Sequence, residues 1–524
     1  MKKITKEIKE FFNKDKWSSE GIFALVFALV LVFNVLLTAI VETFGLYIYE
    51  KDNTDYSISG NTDHLFEDAI EEGKKIKISF CMDKFDEEGY LDHDSGKLVH
   101  KTVLNFAERY PGFVEIDYIN IMTRRNKDNR LVDLSKYQTD MRGEKTQVLK
   151  TSVIFECGDN YRVVTDLYST AGFADFYTLD ANGSLTSYNG EEVVAAMMSW
   201  VLSDVHETVY FTQYHGETVD IAFANLLVCA GYYVDVIDLK NDKEIDEETG
   251  ERVLNRKLKD AAMIIISNPQ TDFERAAVGS GLKSEIERLR DYVNGGGNLL
   301  ITLDPYVKKL NVLESFIDEY GISFATTTDE KTGRVARNIV KDSAGAITLD
   351  GFTLVAEYAN TPVGESIEDK VSEYSNGGVI IREVSALELS GSAKPLLKSS
   401  ASSELEAHGV TVDRGGNYTI AAYSDVTLES GESAKVFVVP SIYLAVSDAL
   451  VSREYSNKDF IYALFDEYFE SGTAIYGCND VLYDTATLEN LTMKSARIYT
   501  VIIMAIPTAL AITGVAVIVR RRQR

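Results

Sequence analysis

Cysteine is scarce in this chain, with four in 524 residues: Cys81, Cys157, Cys229 and Cys478. They lie far apart and form no Cys-x-x-Cys pair, which excludes a thiolate metal site of the usual spacing. Three of the four sit in apolar strand or helix patterns, where a thiol behaves as a small core residue. There is no His-Glu-x-x-His, and His215 has no second histidine nearby, so the ligands of a zinc site are missing. The chain also has no glycine-lysine phosphate loop and cannot hydrolyse ATP by that device. Cations are outnumbered as well: 53 Lys and Arg against 81 Asp and Glu leave a net charge of −28. The imbalance is deeper in the interior, because both ends are basic. Such a body repels nucleic acid and anionic lipid headgroups, so neither is expected as a partner.

What the sequence has in quantity begins with two long apolar runs. Ile22 to Val41 is broken only by Asn34 and Thr38. At about 1.5 Å per residue it reaches roughly 30 Å, the thickness of a bilayer core. It continues apolar through Leu46 and Tyr49, unlike a cleaved signal peptide, and no cysteine follows it for a lipid anchor. Tyr499 to Val519 is comparable and contains Pro507. Lysines before the first run and arginines after the second place both ends in the cytoplasm by the positive-inside rule. The expectation is a two-pass protein of the cell membrane. Its parts are a basic N-terminus (1–20), a first transmembrane helix (21–48), an extracytoplasmic body, a second transmembrane helix (498–519) and a basic tail (520–524).

The body reads as α/β throughout. A smaller domain over 50–202 shows strand, helix, strand in Ile76–Cys81, Lys101–Tyr110 and Val114–Ile119, and closes with a helix from Gly190 to Val201. The domain over 203–475 is organised around Thr208–Pro305. There the β-branched runs Val209–Thr212, Tyr232–Leu239, Ala262–Ser267 and Leu299–Leu303 alternate with helical patterns at Ile221–Ala230 and Ser284–Asn294. Continuous apolar strands of this kind signal a parallel sheet covered on both faces. The stretch from Thr326 to Ala434 is strand-like, rich in Gly and Ser, and says little more. Ala434–Pro440 reads as a buried strand and Asn457–Glu470 as an amphipathic helix.

Several motifs occur in order: His215-Gly216-Glu217 after a strand, the step at Gly231 to Val234, Ile264 to Pro269, and Gly295 to Pro305. Together with Tyr188 to Glu192 ahead of them, they resemble the GldG-like, gliding-motility-type auxiliary component of ABC transporters. The resemblance implies a glutamine-amidotransferase-like (flavodoxin-like) central domain. It also implies a non-catalytic auxiliary subunit of a transport system in the bacterial cell envelope, with a separate ATPase and a separate permease as partners. No cofactor is implied.

Ligands of parallel sheets gather at the carboxyl ends of the strands. Here those ends carry Tyr214, His215, Glu217, Asn268 and Asp304, the candidate residues for binding a small molecule or an envelope partner. His215 and Glu217 could instead serve as base and acid in a hydrolase acting on envelope carbohydrate or peptide, with Asp304. Alternatively Gly216 makes the turn, while His215 and Glu217 cap the following helix or bind its backbone amides. Amidotransferase-type domains place a cysteine nucleophile on a strand-to-helix turn. The matching turn here, Ser267-Asn268-Pro269, has neither a cysteine nor the Gly-x-Ser-x-Gly spacing, which argues against hydrolysis. Gly295-Gly296-Gly297 follows a helix and leads into a strand, the reverse of a phosphate cradle. Asp180 to Ser184, with Glu191, nearly spells a calcium loop, but Leu185 stands where glycine is required. No metal site is expected.

Overall fold

The computed structural model describes residues 58–82, 94–164, 176–179, 185–240, 244–245, 252–253, 258, 261–275, 283–375, 377–428, 433–452, 454–467, 475–478 and 481–482. The N-terminal part is a five-stranded sheet of β1 (Ile76–Phe80), β2 (Val114–Asn120), β3 (Arg125–Asn126), β4 (Val153–Cys157) and β5 (Asn160–Val164), in the order β3-β2-β1-β4-β5. Helix α1 (Asp94–Arg109) joins β1 to its parallel neighbour β2. Helix α2 (Gly190–Leu202) is apolar nearly all round and buried accordingly. It packs on β4 and β5, and also on α3 (Ile221–Cys229) of the central layer.

The central sheet follows from its apolar runs. Its parallel half is β6 (Thr208–Thr212), β7 (Tyr233–Ile237), β8 (Ala261–Ser267), β9 (Asn298–Thr302) and the later strand Ser433–Val439. Side chains alternate between the two faces. Tyr210, Ile264, Ile266, Leu299, Ile301, Val436 and Val438 share one core with Leu289 and Val293 of α4 (Glu285–Asn294) and with Leu313 and Phe316 of α5 (Asn311–Asp318). Phe211, on the opposite face, meets Phe223 of α3 edge to face at 5.7 Å. Helix α4 starts where the sequence says it should. Ser284 accepts from the Glu287 amide and Glu287 reaches back to the Ser284 amide, a reciprocal cap.

The sheet then turns antiparallel. Past the parallel half come β10 (Thr353–Tyr358), β11 (Val379–Arg382), β12 (Ala393–Lys398) and β13 (Thr419–Thr427), with Ser433–Val439 as β14. The main path is β11-β10-β12-β13-β14-β9-β8-β6-β7 in a sheet of eleven strands. The expected parallel-sheet domain is therefore a mixed sheet. The low-information stretch after Thr326 supplies its antiparallel half and the hairpins beside it, because β13 and β14 pair directly with each other and reverse the chain. The order of the parallel half, β7-β6-β8-β9-β14, is the 2-1-3-4-5 order of flavodoxin-type sheets, whose crevice lies between the first and third strands. Here that crevice falls between β6 and β8.

The expected two-pass membrane architecture is corrected. Among the described residues, no helix is long and apolar enough to cross a membrane. The longest, α1, has 16 residues, about 24 Å at 1.5 Å per residue, and carries charge along one face. The transmembrane-helix and extracytoplasmic-domain readings, and the cell-membrane localisation built on them, fall with this. The runs at 21–48 and 498–519 and the basic ends lie outside the described residues, as do Asp180 to Ser184.

An aromatic and cationic stack joins the two layers. The Trp200 and His206 rings lie 3.6 Å apart and nearly parallel, and Tyr233 of β7 stands edge-on to Trp200. The Arg162 guanidinium sits 4.9 Å from the Trp200 ring centre and 5.5 Å from that of Tyr233. Burial, and secondarily the Arg162 charge, push His206 down to about 4 from its ordinary 6.5. A folded pKa below the unfolded one means that this stability is present above pH 6.5 and lost as pH falls through 4. Thermal unfolding measured from neutral pH down to pH 4 should therefore show a loss that His206→Phe, a stack without a titrating ring, reduces. Equal losses in both proteins contradict the assignment.

Candidate functional site

The crevice between β6 and β8 is closed by the turn that follows β6. Tyr214 and Gly216 both adopt left-handed backbone angles, φ 80° and 73°. The positive φ favours glycine at Gly216, and a Cβ there would also stand a tight 3.1 Å from Cβ of Gln270. The double reversal leaves Tyr214 69% exposed and turns His215 inward, to 6% exposure. The His215 carbonyl accepts from the amides of Gln270 and Thr271, at 2.8 and 2.9 Å, tying this turn to the one after β8.

His215 is saturated. Its Nδ1 lies 3.2 Å from Glu217 Oε1, and its Nε2 lies 3.2 Å from Glu285 Oε2. The side chains of Glu217 and Glu285 are only 4% and 3% exposed. Glu217 also accepts from the His215 amide at 2.7 Å, and Glu285 from the Glu274 amide at 2.8 Å. The Phe273 ring stacks on the imidazole at 4.0 Å and 9°, an arrangement that favours a cation. Burial works against the charged ring, but the two carboxylates outweigh it and push His215 up to about 9. Burial likewise works to raise the Glu217 pKa, and the His215 ring and amide more than reverse it, so that it stays below the ordinary carboxylate value. An imidazolium donating both N–H groups has no lone pair with which to accept a proton.

The remaining strand-end residues are scaffolding too. Asn268, φ 53°, takes the strained position of the turn after β8. Its Oδ1 accepts from the Asp304 amide at 3.1 Å, and its Nδ2 donates to Thr218 Oγ1 at 3.2 Å. Ser267 Oγ donates to the Thr218 carbonyl at 2.6 Å. Asp304 Oδ1 accepts from the Tyr306 amide at 2.8 Å. The structure thus brings His215, Glu217, Asn268 and Asp304 to one end of the sheet, while Tyr214 faces away into solvent. All four cysteines are free. Among the described residues, no group of three or more His, Cys, Asp or Glu is arranged to hold a metal.

Sequence reasoning missed Glu285, Phe273 and Arg337. Glu285 follows the helix cap Ser284 and reads as an ordinary first-turn acid; only the fold brings it 70 positions back to His215. Arg337 lies in the stretch with the weakest pattern. Its side chain is 6% exposed. Its Nη1 donates to the carbonyls of Asp304, Pro305 and Val307, and its Nη2 to Glu314 Oε1 at 2.8 Å. It therefore pins the loop after β9. That loop forms one wall of a cleft of about 430 Å³, whose other walls are the hairpin Thr326–Thr328 with Val335–Arg337 and the turn at His408. The open space lies one strand over from the filled crevice.

No family model and no curated protein matches the chain. Among solved structures it is similar to the mmIFT52 N-terminal domain, at 16% identity over 50% of this chain and 97% of that one, with a TM-score of 0.35. A ThuA-like protein from Bacteroides uniformis matches at 14% identity over 50% and 90%, TM-score 0.29. PurLQS from Thermotoga maritima matches at 14% over 51% and 100%, TM-score 0.27. Likenesses this weak carry no argument about function. None of the three is a GldG-like or ABC-transport protein, and the gliding-motility and ABC-transporter designations gain no support from them.

Two outcomes follow. A folded His215 pKa raised to about 9 from 6.5 gives stability that is present below pH 6.5 and lost as pH rises through 9. Wild type should lose about 3 kcal/mol over that window, a loss that His215→Gln does not show; parallel curves contradict the buried imidazolium. In urea unfolding, Arg337→Met should cost about 3 kcal/mol by stranding Glu314, and adding Glu314→Leu should restore part of it. A double variant weaker than the single contradicts the pairing.

Proposed function

We propose that the chain is a non-catalytic binding protein serving as the auxiliary component of an ABC-type transport assembly, alongside a separate ATPase and a separate permease. The observation that carries the non-catalytic half is the imidazole of His215, closed on both nitrogens by Glu217 and Glu285. A hydrolase using His215, Glu217 and Asp304 needs a neutral ring facing substrate and a free carboxylate. Here the ring is buried and charged, and Asp304 holds its own turn. Asn268, at the strained turn, carries an amide that is no nucleophile, and its two polar atoms are engaged. The transport context rests on the ordered motifs from His215 to Pro305, and the binding role on the cleft beside them.

The tagged full-length chain, cross-linked in its own cells and purified, should bring down an ATPase and a multi-span permease; recovery of neither overturns the transport assignment. Assayed alone on carbohydrate and peptide polymers, the purified chain should show no turnover. Turnover abolished by Glu217→Gln, in a variant that keeps its melting temperature, would overturn the non-catalytic reading.

A further inference from the structure

The cleft beside the β9 loop has an uneven charge balance. Two acids line it, and both are paired: Glu314 with Arg337 at 2.8 Å and Glu406 with Lys341 at 3.1 Å. Lys308 and Lys309 line it as well, both exposed, and neither has an ion-pair partner among the described residues. Of the acids nearby, Glu383 is paired with Arg382 at 3.7 Å, and Asp304 is engaged by the Tyr306 amide. Two cations without an ion-pair partner among the described residues therefore line the cleft, in a protein whose net charge is −28. Apart from Thr326 and His408, the remaining walls are apolar or aromatic. Tyr306 is 62% exposed, Phe352 is half-buried with the Lys341 ammonium 5.2 Å from its ring centre, and Val335 is 56% exposed. Exposed aromatic and apolar surface converging with unpaired charge, in about 430 Å³ of space, matches a small-molecule site in size and character.

We propose that this cleft binds a small organic anion. Its phosphate or carboxylate meets Lys308 and Lys309, and its sugar or aromatic ring lies against Tyr306 and Phe352. This deepens the binding reading given above and rests on it. The buried Arg337 fixes the loop through three carbonyls, so the lysines are presented on a held backbone and less order is lost on binding.

The test is calorimetric titration of the full-length chain with glucose 6-phosphate, glucuronate, inorganic phosphate and, as neutral control, glucose. The two ring-bearing anions should bind and glucose should not. Lys308→Ala with Lys309→Ala should weaken both anions at least about tenfold, and raised salt should weaken them in wild type. Tyr306→Ala should weaken glucose 6-phosphate and glucuronate while leaving inorganic phosphate within about twofold. All three residues are exposed, so the variants should keep the wild-type melting temperature. Binding of glucose equal to that of the anions, absence of anion binding, or anion binding indifferent to the lysine pair would each overturn the proposal. Co-purification of the ATPase and permease with the lysine variant reads the parent proposal separately: partners retained with no anion bound removes the ligand inference alone.

Discussion

One buried cation organises the carboxyl end of the central sheet. The His215 ring sits between Glu217 and Glu285, with Phe273 on its face, and the side chains of all four are buried. Taking charges out of water is expensive, and it is tolerated only where each charge is paired and hydrogen-bonded. Glu217 answers this by also capping the His215 amide, and Glu285 by accepting from Glu274. The β6 turn, the chain after β8 and the start of α4 are thereby bound to one another. Glu285 Oε1 is the exception, buried and without a hydrogen-bond partner among the described residues.

This has a consequence for chemistry. In an open sheet of 2-1-3-4-5 order the crevice between the first and third strands is the natural ligand position. Here its mouth is filled by side chains that hold the backbone, and the space that remains open lies off β9. A loop pinned there by Arg337 faces the small hairpin sheets that lie beside the antiparallel half. The β-rich insertion is what converts a closed strand end into a walled cleft.

Much of the parallel half was legible, because apolar runs such as Met263–Ile266 and Leu299–Ile301 are buried on both faces and leave the sequence no alternative. The helix from Ser284 to Asn294 was legible in its helical pattern, and the structure begins it at the Ser284 cap. The antiparallel half was not. Strands such as Val379–Arg382 are short, and their partners are set by contacts distant in sequence. The same limit applied to the site. The residues at the strand ends could be named, but not what each one faces. Whether His215 served as a base or held the backbone stayed open in the sequence, because Glu285, the residue that settles its charge, is placed by the fold and not by spacing. The transmembrane expectation failed differently: it rested wholly on segments at the ends of the chain, and the described helices give it nothing.

The central claim is that His215 is a structural imidazolium, protonated on both nitrogens in the folded protein. Nitrogen-15 NMR of histidine-labelled protein at pH 8, with His215 assigned through His215→Gln, measures this directly. The account predicts two protonated ring nitrogens for His215, at a pH where exposed histidines have lost one proton. A single protonated nitrogen, with the other bare, would contradict it and return His215 to the list of possible bases.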